Sequence, residues 1–430
     1  MTRNQLTQCQ QLAMNILNAH GNVFVTGAAG TGKSHLIRHY HSNKDRKEFP
    51  LLASTGAAAV LVGGRTFHSF FGLGIMQGGF DATVERALQE KRVVKRLSKI
   101  DGVIIDEVSM LSGTTIRAAE TICRVARKKN LPWGGIKVVT VGDFAQLPPV
   151  TPFQCKRDWA FQDQAWKNSG FTPAILKTIM RTAEGDFLSV LNHVRDGRVS
   201  PEVKNFLDER TRATPERFDG TRFVPHRETA ERYNLDRLKA IPAKEKEFPT
   251  IYSGHEKFLE SLKHLAPVPE ILKLKEDALV MLRQNDPTGR WVNGSLGHIT
   301  KIKDDSLTIT PLANGNEIEV EPTSFALLNA EGIEMAVARN FPVNLAYAST
   351  IHKSQGMTLD MVLMDLRGLW EPGQAYVALS RAKSAKGLFL LGWDPSSIQT
   401  DWAVQEYYRG LNTLTTPTSQ ACKNIAHQRE

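Results

Sequence analysis

A glycine-rich turn that ends in a lysine and a hydroxyl is suited to hold phosphate. Residues 27–34 read Gly27-Ala28-Ala29-Gly30-Thr31-Gly32-Lys33-Ser34. Glycines at 27, 30 and 32 let the backbone N–H groups of the turn, those of Ala28, Ala29 and Thr31 included, face an anion at close range. Lys33 then reaches the β- and γ-phosphates, and Ser34 holds Mg2+. Downstream, Val103-Ile-Ile-Asp106-Glu107 is an apolar run that ends in two carboxylates. Asp106 suits Mg2+ through water, and Glu107 suits orienting and deprotonating an attacking water. A phosphate turn followed by an acid pair points to cleavage of ATP rather than its storage. Gln146, in Val141-Gly-Asp143-Phe-Ala-Gln146-Leu-Pro-Pro149, follows another apolar run. It can sense the γ-phosphate and help place water. A polar turn stopped by prolines is the plainer reading of that stretch.

Two arginines extend the set. Arg181 sits in Leu176-Lys-Thr-Ile-Met-Arg181-Thr182 and Arg381 in Gln374-Ala-Tyr-Val-Ala-Leu-Ser-Arg381. Each could be a guanidinium finger on the γ-phosphate, a device worth roughly 10³–10⁵ in rate; from spacing alone a surface ion pair is the favoured reading of either. Thr350-Ile-His352-Lys353-Ser-Gln355-Gly356 and Thr66-Phe-His68-Ser69-Phe70-Phe71 mix hydroxyl, imidazole and aromatic groups. Both suit single-stranded nucleic acid, with hydroxyls on phosphates and rings on bases. The aromatics are also ordinary core residues.

These groups need a rigid frame. Asn22–Thr26, Leu51–Ser54, Val103–Asp106 and Ile136–Val141 read as buried strands, with helical patterns between them. That alternation predicts a parallel sheet covered on both faces. Residues 72–100, glycine-rich and then basic (Lys91, Arg92, Lys95, Arg96, Lys99), read as an excursion from it. A second α/β region begins near Phe171, with a strand at Phe223-Val-Pro and a helix over Glu228–Leu238. Residues 241–275 read as an elaborated loop region. Between 280 and 340 the pattern changes to period two, with turns at Asp304-Asp305 and Asn314-Gly315, which predicts a small antiparallel unit. Strand–helix patterning then resumes from Asn344 to Trp393, and the tail from Thr413 is polar.

Size and charge set further bounds. A chain of 430 residues exceeds one core, so two or more domains are expected. The net charge is +9, and residues 1–150 hold 19 Lys/Arg against 10 Asp/Glu. The half with the phosphate turn thus carries the surplus, which suits a polyanion bound beside ATP or simply aids solubility. No apolar run approaches the ~20 residues of a membrane span. Cys9, Cys123, Cys155 and Cys422 are scattered without metal-ligand spacing, which predicts a reduced compartment, no disulfide framework and no zinc. The expected location is cytoplasmic, or nucleoid-associated in a bacterium or phage.

Taken in order, the motifs resemble those of superfamily 1 helicases, and most of all the Pif-one (petite integration frequency) family, relatives of RecD. Leu6-Thr-Gln-Cys-Gln10 resembles the adenine-reading Q motif. Ala53-Ser-Thr55-Gly56-Ala-Ala-Ala59 and Thr66–Phe70 resemble motifs Ia and Ib, which contact DNA. Asp106-Glu107-Val-Ser-Met110 resembles motif II. Ala126-Arg-Lys-Lys-Asn-Leu-Pro-Trp133-Gly-Gly-Ile136 resembles the family's own signature, with Trp133 where Phe is common. Asn293-Gly-Ser-Leu-Gly297 resembles the entry to an inserted β-barrel, and residues 351–356 and 374–381 resemble motifs V and VI. Thr182 stands where the family usually has Gln.

The resemblance implies an α/β fold of two tandem RecA-like P-loop domains with a small inserted antiparallel β-barrel of Src-homology-3 type. The first domain would span 1–172 with its insertion at 72–100, and the second 173–279 and 341–400. The barrel would span 280–340, and a C-terminal helix or tail 401–430. It implies ATP-driven 5′-to-3′ movement on single-stranded DNA and unwinding of duplex, with RNA–DNA hybrids or G-quadruplexes as further substrates. Gln10 would read adenine. Gly27–Ser34 and Gly356 would bind nucleotide, and Ser34 and Asp106 would hold Mg2+. Glu107, Gln146, Arg181 and Arg381 would be catalytic. Thr55, Gly56, Thr66, His68, Ser69, Phe70, Thr350, His352 and Lys353 would contact single strands or single–double strand junctions. A monomer is expected, with no membrane partner. The residues also permit a nucleic-acid-stimulated ATPase that clamps or strips nucleoprotein without unwinding.

Overall fold

The structure is a computed structural model that describes residues 6–415, apart from 20, 46, 63, 75, 77, 151–155, 183, 214, 216–217, 287, 314 and 330–332. The polar tail beyond 415, Asn314 of the proposed turn, Cys155 and Cys422 lie outside the described residues.

Short Val/Ile-rich runs with no polar alternation can only be satisfied between two covering layers. Six of them form a sheet: β1 (Val23–Gly27), β2 (Leu51–Ala53), β3 (Arg65–Thr66), β4 (Gly102–Asp106), β5 (Lys137–Gly142) and β6 (Thr172–Leu176). Their spatial order is β3-β2-β4-β5-β1-β6, and every pairing is parallel. β1 is buried along its whole length. The carboxyl ends of β1, β4 and β5 therefore carry the phosphate turn, the acid pair and the Gly142-Asp143 turn to one edge, where open α/β sheets bind ligands.

β6 departs from the expected boundary. The sequence pattern places the start of a second region near Phe171, yet this strand pairs with β1 from Val23↔Thr172 to Gly27↔Leu176. Its Pro173 is tolerated because β6 is an edge strand.

The excursion at 72–100 is two short helices, Gly79–Gln89 and Lys91–Leu97. They share the first lobe's core, where Val84, Ala87, Val93 and Leu97 pack with Phe67, Phe70 and Phe71.

A second parallel sheet has the order 348–349, 221–223, 362–365, 388–392. Period-two residues form a five-stranded antiparallel sheet, ordered Ile318–Val320, Leu307–Pro311, Leu296–Ile302, Leu279–Leu282, Val343–Leu345. Among the described residues its two outer strands do not pair with each other, so no closed barrel is found there. Its core includes Val280, Leu282, Ile299, Ile309 and Val343.

Residues 241–275 are not a loop region. They contain strands Lys246–Pro249, Ile251–Gly254 and Ile271–Leu274 and helix Glu256–Leu265. Ile251–Gly254 pairs with Glu334–Asn340, a partner more than eighty residues away that local sequence gives no means to find. Leu262 and Val268 pack there with Val60 of the first lobe. The chain closes with helix Trp402–Thr415, which returns to the first lobe and stacks Tyr407 on Phe161, centroids 4.4 Å apart. No helix among the described residues is long and apolar enough to cross a membrane.

Candidate functional site

The phosphate turn leaves β1 and enters the helix Lys33–Ser42 through Gly32, which adopts φ +80°. Only glycine fits there without cost, because a Cβ on Gly32 would sit 2.5 Å from Gln10 Nε2. A Cβ on Gly30 (φ +81°) would lie 2.7 Å from Arg181 Cβ. These two close approaches pin the loop between Gln10 and Arg181. Gln10 is buried and spans two elements: its Oε1 accepts from Thr7 N–H (3.0 Å), and its Nε2 donates to Thr31 O (3.3 Å). Met180 N–H donates to Gly30 O at 2.8 Å. Lys33 Nζ donates to the carbonyls of Gly27 (2.8 Å) and Ala28 (3.1 Å). Burial pulls its ammonium pKa down against the pull of Asp143 and Glu107.

Asp106 ends β4 and accepts from the Glu107 N–H at 2.9 Å. Glu107 holds φ +52°, a left-handed backbone that costs a non-glycine residue about 1–3 kcal/mol and aims its side chain out of the strand. Glu107 Oε2 accepts from Gln355 Nε2 at 3.2 Å, a bond across 248 residues of chain. Burial first, then the Glu107 charge, pushes the Asp106 carboxyl up to about 7. Two crowded carboxylates of this kind are relieved by a cation. Among the described residues no group of three or more His, Cys, Asp or Glu could hold a metal. An ion here would draw on one carboxylate and one hydroxyl, as a phosphate-bound Mg2+ does.

The two arginines are not surface ion pairs. Arg381 is 2% exposed, and its guanidinium donates to Val377 O (2.9 Å) and Ser380 Oγ (2.9 Å). Arg181 donates to Ser380 O. Neither meets a carboxylate within ion-pair distance among the described residues. Burial, then repulsion from Arg381, pulls Arg181 down to about 9; burial also pulls Arg381 down, against Glu107. Two enclosed cations beside a phosphate turn form a site for a polyanion. Gln146 is buried after β5, its N–H bonded to Asp143 O at 2.9 Å.

A cleft of about 1840 Å³ opens at the end of β4. Ser34, Asp106, Glu107 and Gly356 line one part, and Thr55, Thr350, His352 and Lys353 another. The structure thus joins Ser34, Asp106 and Glu107 to part of the expected nucleic-acid set. It separates others. His68 and Ser69 line a different, shallower depression of about 580 Å³. Thr66 caps the helix Phe67–Phe71, accepting from Ser69 N–H at 3.1 Å. Gly56 packs against Leu265. Phe70 needs correction: its ring is 0% exposed, beneath the Arg96 guanidinium (5.0 Å to centroid), so no base can stack on it.

A buried polar cluster escaped the sequence reading. Asp143 is fully buried and accepts from Arg195 Nη2 (2.8 Å) and Nε (3.1 Å), from Tyr408 OH (3.0 Å) and from Tyr376 OH (3.4 Å). Burial pushes its carboxyl up, and Arg195 more than reverses this, holding it below the usual range. Tyr376 OH in turn accepts from Ala29 N–H of the phosphate turn at 2.7 Å. The Gly142-Asp143 and Gln374–Arg381 stretches signalled two members. Nothing marks Arg195, at the end of an ordinary helix, or Tyr408.

A phosphate-binding turn at the end of β1, an acid pair at the end of β4, and two enclosed arginines define a nucleoside-triphosphate hydrolase of the P-loop class. Residues 1–205 match the family model described as PIF1-like helicase. Over 410 residues the chain is 51% identical to the "ATP-dependent DNA helicase Pif1" of Bdellovibrio bacteriovorus, covering 95% of this chain and 93% of that one. The chain belongs to the PIF1-like helicase family. It spans about 64% of the human relative, "ATP-dependent DNA helicase PIF1", at 34% identity. The solved structure of Bacteroides sp. Pif1 in complex with ADP-AlF4 superposes with TM-score 0.83 at 28% identity, covering 96% of this chain and 98% of that one. Bacteroides Pif1 bound to ssDNA matches with TM-score 0.63 at 29% identity, over 95% of this chain and 97% of that one.

Proposed function

We propose that this chain is an ATP-dependent DNA helicase that moves 5′ to 3′ along single-stranded DNA and opens duplex ahead of it. The observation that carries the proposal is the Gln355–Glu107 hydrogen bond at 3.2 Å. It joins the segment expected to grip the strand to the carboxylate expected to activate water, inside one continuous cleft. A strand that shifts residues 350–356 shifts the partner of the base. That is a direct route from DNA contact to hydrolysis.

On this reading the two parallel-sheet lobes are RecA-like, the antiparallel unit is the Src-homology-3-like insertion, and ATP lies between the lobes. Ser34 and Asp106 would hold Mg2+, which would supply charge neutralisation to the triphosphate when bound. Glu107 orients and deprotonates water, and Lys33, Arg181 and Arg381 stabilise the charge that builds on the transferred phosphoryl group. Gln146 couples the γ-phosphate to the cleft, and Gln10 braces the loop beside the adenine. Thr55, Thr350, His352 and Lys353 contact the strand.

A forked duplex with a 5′ single-stranded arm tests this. Unwinding with ATP by the wild type, and none by Lys33→Ala or Glu107→Gln, is expected. ATP cleavage stimulated by the strand without any unwinding would convert the assignment to a clamping ATPase. Turnover of Glu107→Gln near the wild-type rate would remove Glu107 from its role.

A further inference from the structure

Arg283 follows strand Leu279–Leu282 and lines the large cleft. Its Nε is sealed from solvent and has no hydrogen-bond partner. Its Nη1 meets only thioether sulfurs, Met281 Sδ at 3.6 Å and Met357 Sδ at 3.5 Å. These are weak acceptors. No carboxylate lies within ion-pair distance of it among the described residues, and burial alone pulls the guanidinium down to about 10. Arg195, equally enclosed, shows the usual solution: a two-point ion pair with Asp143. Arg283 has the opposite company. Lys353 is near enough that Arg283, after burial and Arg227, helps to pull its ammonium down, with Glu231 opposing.

The place is rigid. A Cβ on Gly294 would lie 3.0 Å from Met357 Cβ and from Thr358 N, so the turn before strand Leu296–Ile302 sits directly on the chain that follows Gly356. Gly294 N–H donates to Leu282 O at 2.8 Å, which ties this turn to the residue before Arg283, and Lys353 lies just upstream of Met357 in the chain. A half-buried cation on the wall of a cleft, with its Nε sealed and no counter-charge from the chain, calls for an anion from outside the chain.

We propose that Arg283 and Lys353 together clamp one phosphodiester of the single strand where the antiparallel unit meets residues 350–358. This rests on the DNA reading above and adds to it a phosphate contact supplied by the antiparallel unit. The guanidinium offers a planar fork to two phosphate oxygens, and the ammonium offers a point charge beside it.

Arg283→Met and Arg283→Lys test the clamp in the full-length chain, by fluorescence anisotropy with a labelled oligothymidine across a salt series. Methionine extends an apolar neighbourhood of two methionines, so the Met variant should melt at the wild-type temperature or above. It should bind the oligonucleotide about tenfold more weakly, and its log–log salt slope should fall by about 0.7, the loss of one single-strand phosphate contact. The Lys variant should keep the slope and lose part of the affinity. Wild-type affinity and slope in Arg283→Met would overturn the clamp and leave the helicase reading standing. A lower melting temperature with an unchanged slope would also overturn it, making Arg283 a packing residue. A wild-type chain that fails to bind the oligonucleotide would overturn the DNA reading and the clamp with it.

Discussion

Arg195 lies outside every motif, yet its loss should damage both the fold and the nucleotide site. Its partner Asp143 is 0% exposed at the side chain, and Arg195 itself is 16% exposed. The pair is two-pronged, 2.8 and 3.1 Å, with the guanidinium 4.4 Å from the Tyr408 ring centroid. Removing one member of such a pair strands a buried charge, which costs about 3–5 kcal/mol. Arg195→Met should therefore lower unfolding stability by that order in urea at pH 7. Asp143→Asn/Arg195→Met, which removes both charges, should recover much of the loss.

The pH dependence gives a second, independent signature. In the wild type Asp143 is held below its ordinary value, so its contribution is present above about pH 3.9 and fades as pH falls through the depressed value. In Arg195→Met burial is left unopposed by the guanidinium and raises the carboxyl. The deficit should then be smallest near pH 4 and grow toward pH 7. Because Asp143 also touches Tyr376, which holds Ala29 N–H, the KM for ATP should rise in the same variant. A loss below about 1 kcal/mol, the same at pH 4 and pH 7, would refute the reasoning.

Arg381→Ala should reduce DNA-stimulated ATP turnover by about 10³-fold or more while DNA affinity changes little, read by coupled ATPase assay and anisotropy; equal loss of both would make Arg381 structural. Asp106, pushed up to about 7, binds a cation only when ionised. The Mg2+ concentration for half-maximal hydrolysis should therefore be higher at pH 6 than at pH 8, and a pH-independent Mg2+ requirement would separate Asp106 from the metal.

Motifs made of consecutive residues were legible because their geometry is local. Gly30 and Gly32 take the left-handed backbone that the phosphate turn demands, and β4 delivers Asp106 and Glu107 at its end as the apolar run implied. The arginines are ambiguous as isolated residues; their enclosure without carboxylates removes the surface-ion-pair reading. Phe70 was equally ambiguous, and burial beneath Arg96 resolved it toward the core. Residues 241–275 were misread because their strands are short and weakly periodic, and one of them takes its partner from residues 334–340.

The sequence by itself determined the ATP chemistry, the family and the parallel-sheet lobes, since these rest on spacings of a few residues. Only the tertiary structure decided that Gln355 meets Glu107, that Arg195 neutralises Asp143 and that the Arg283 Nε is sealed without a partner. Each of these depends on which distant segments share a low-dielectric space, and the spacing of residues along the chain carries no record of that.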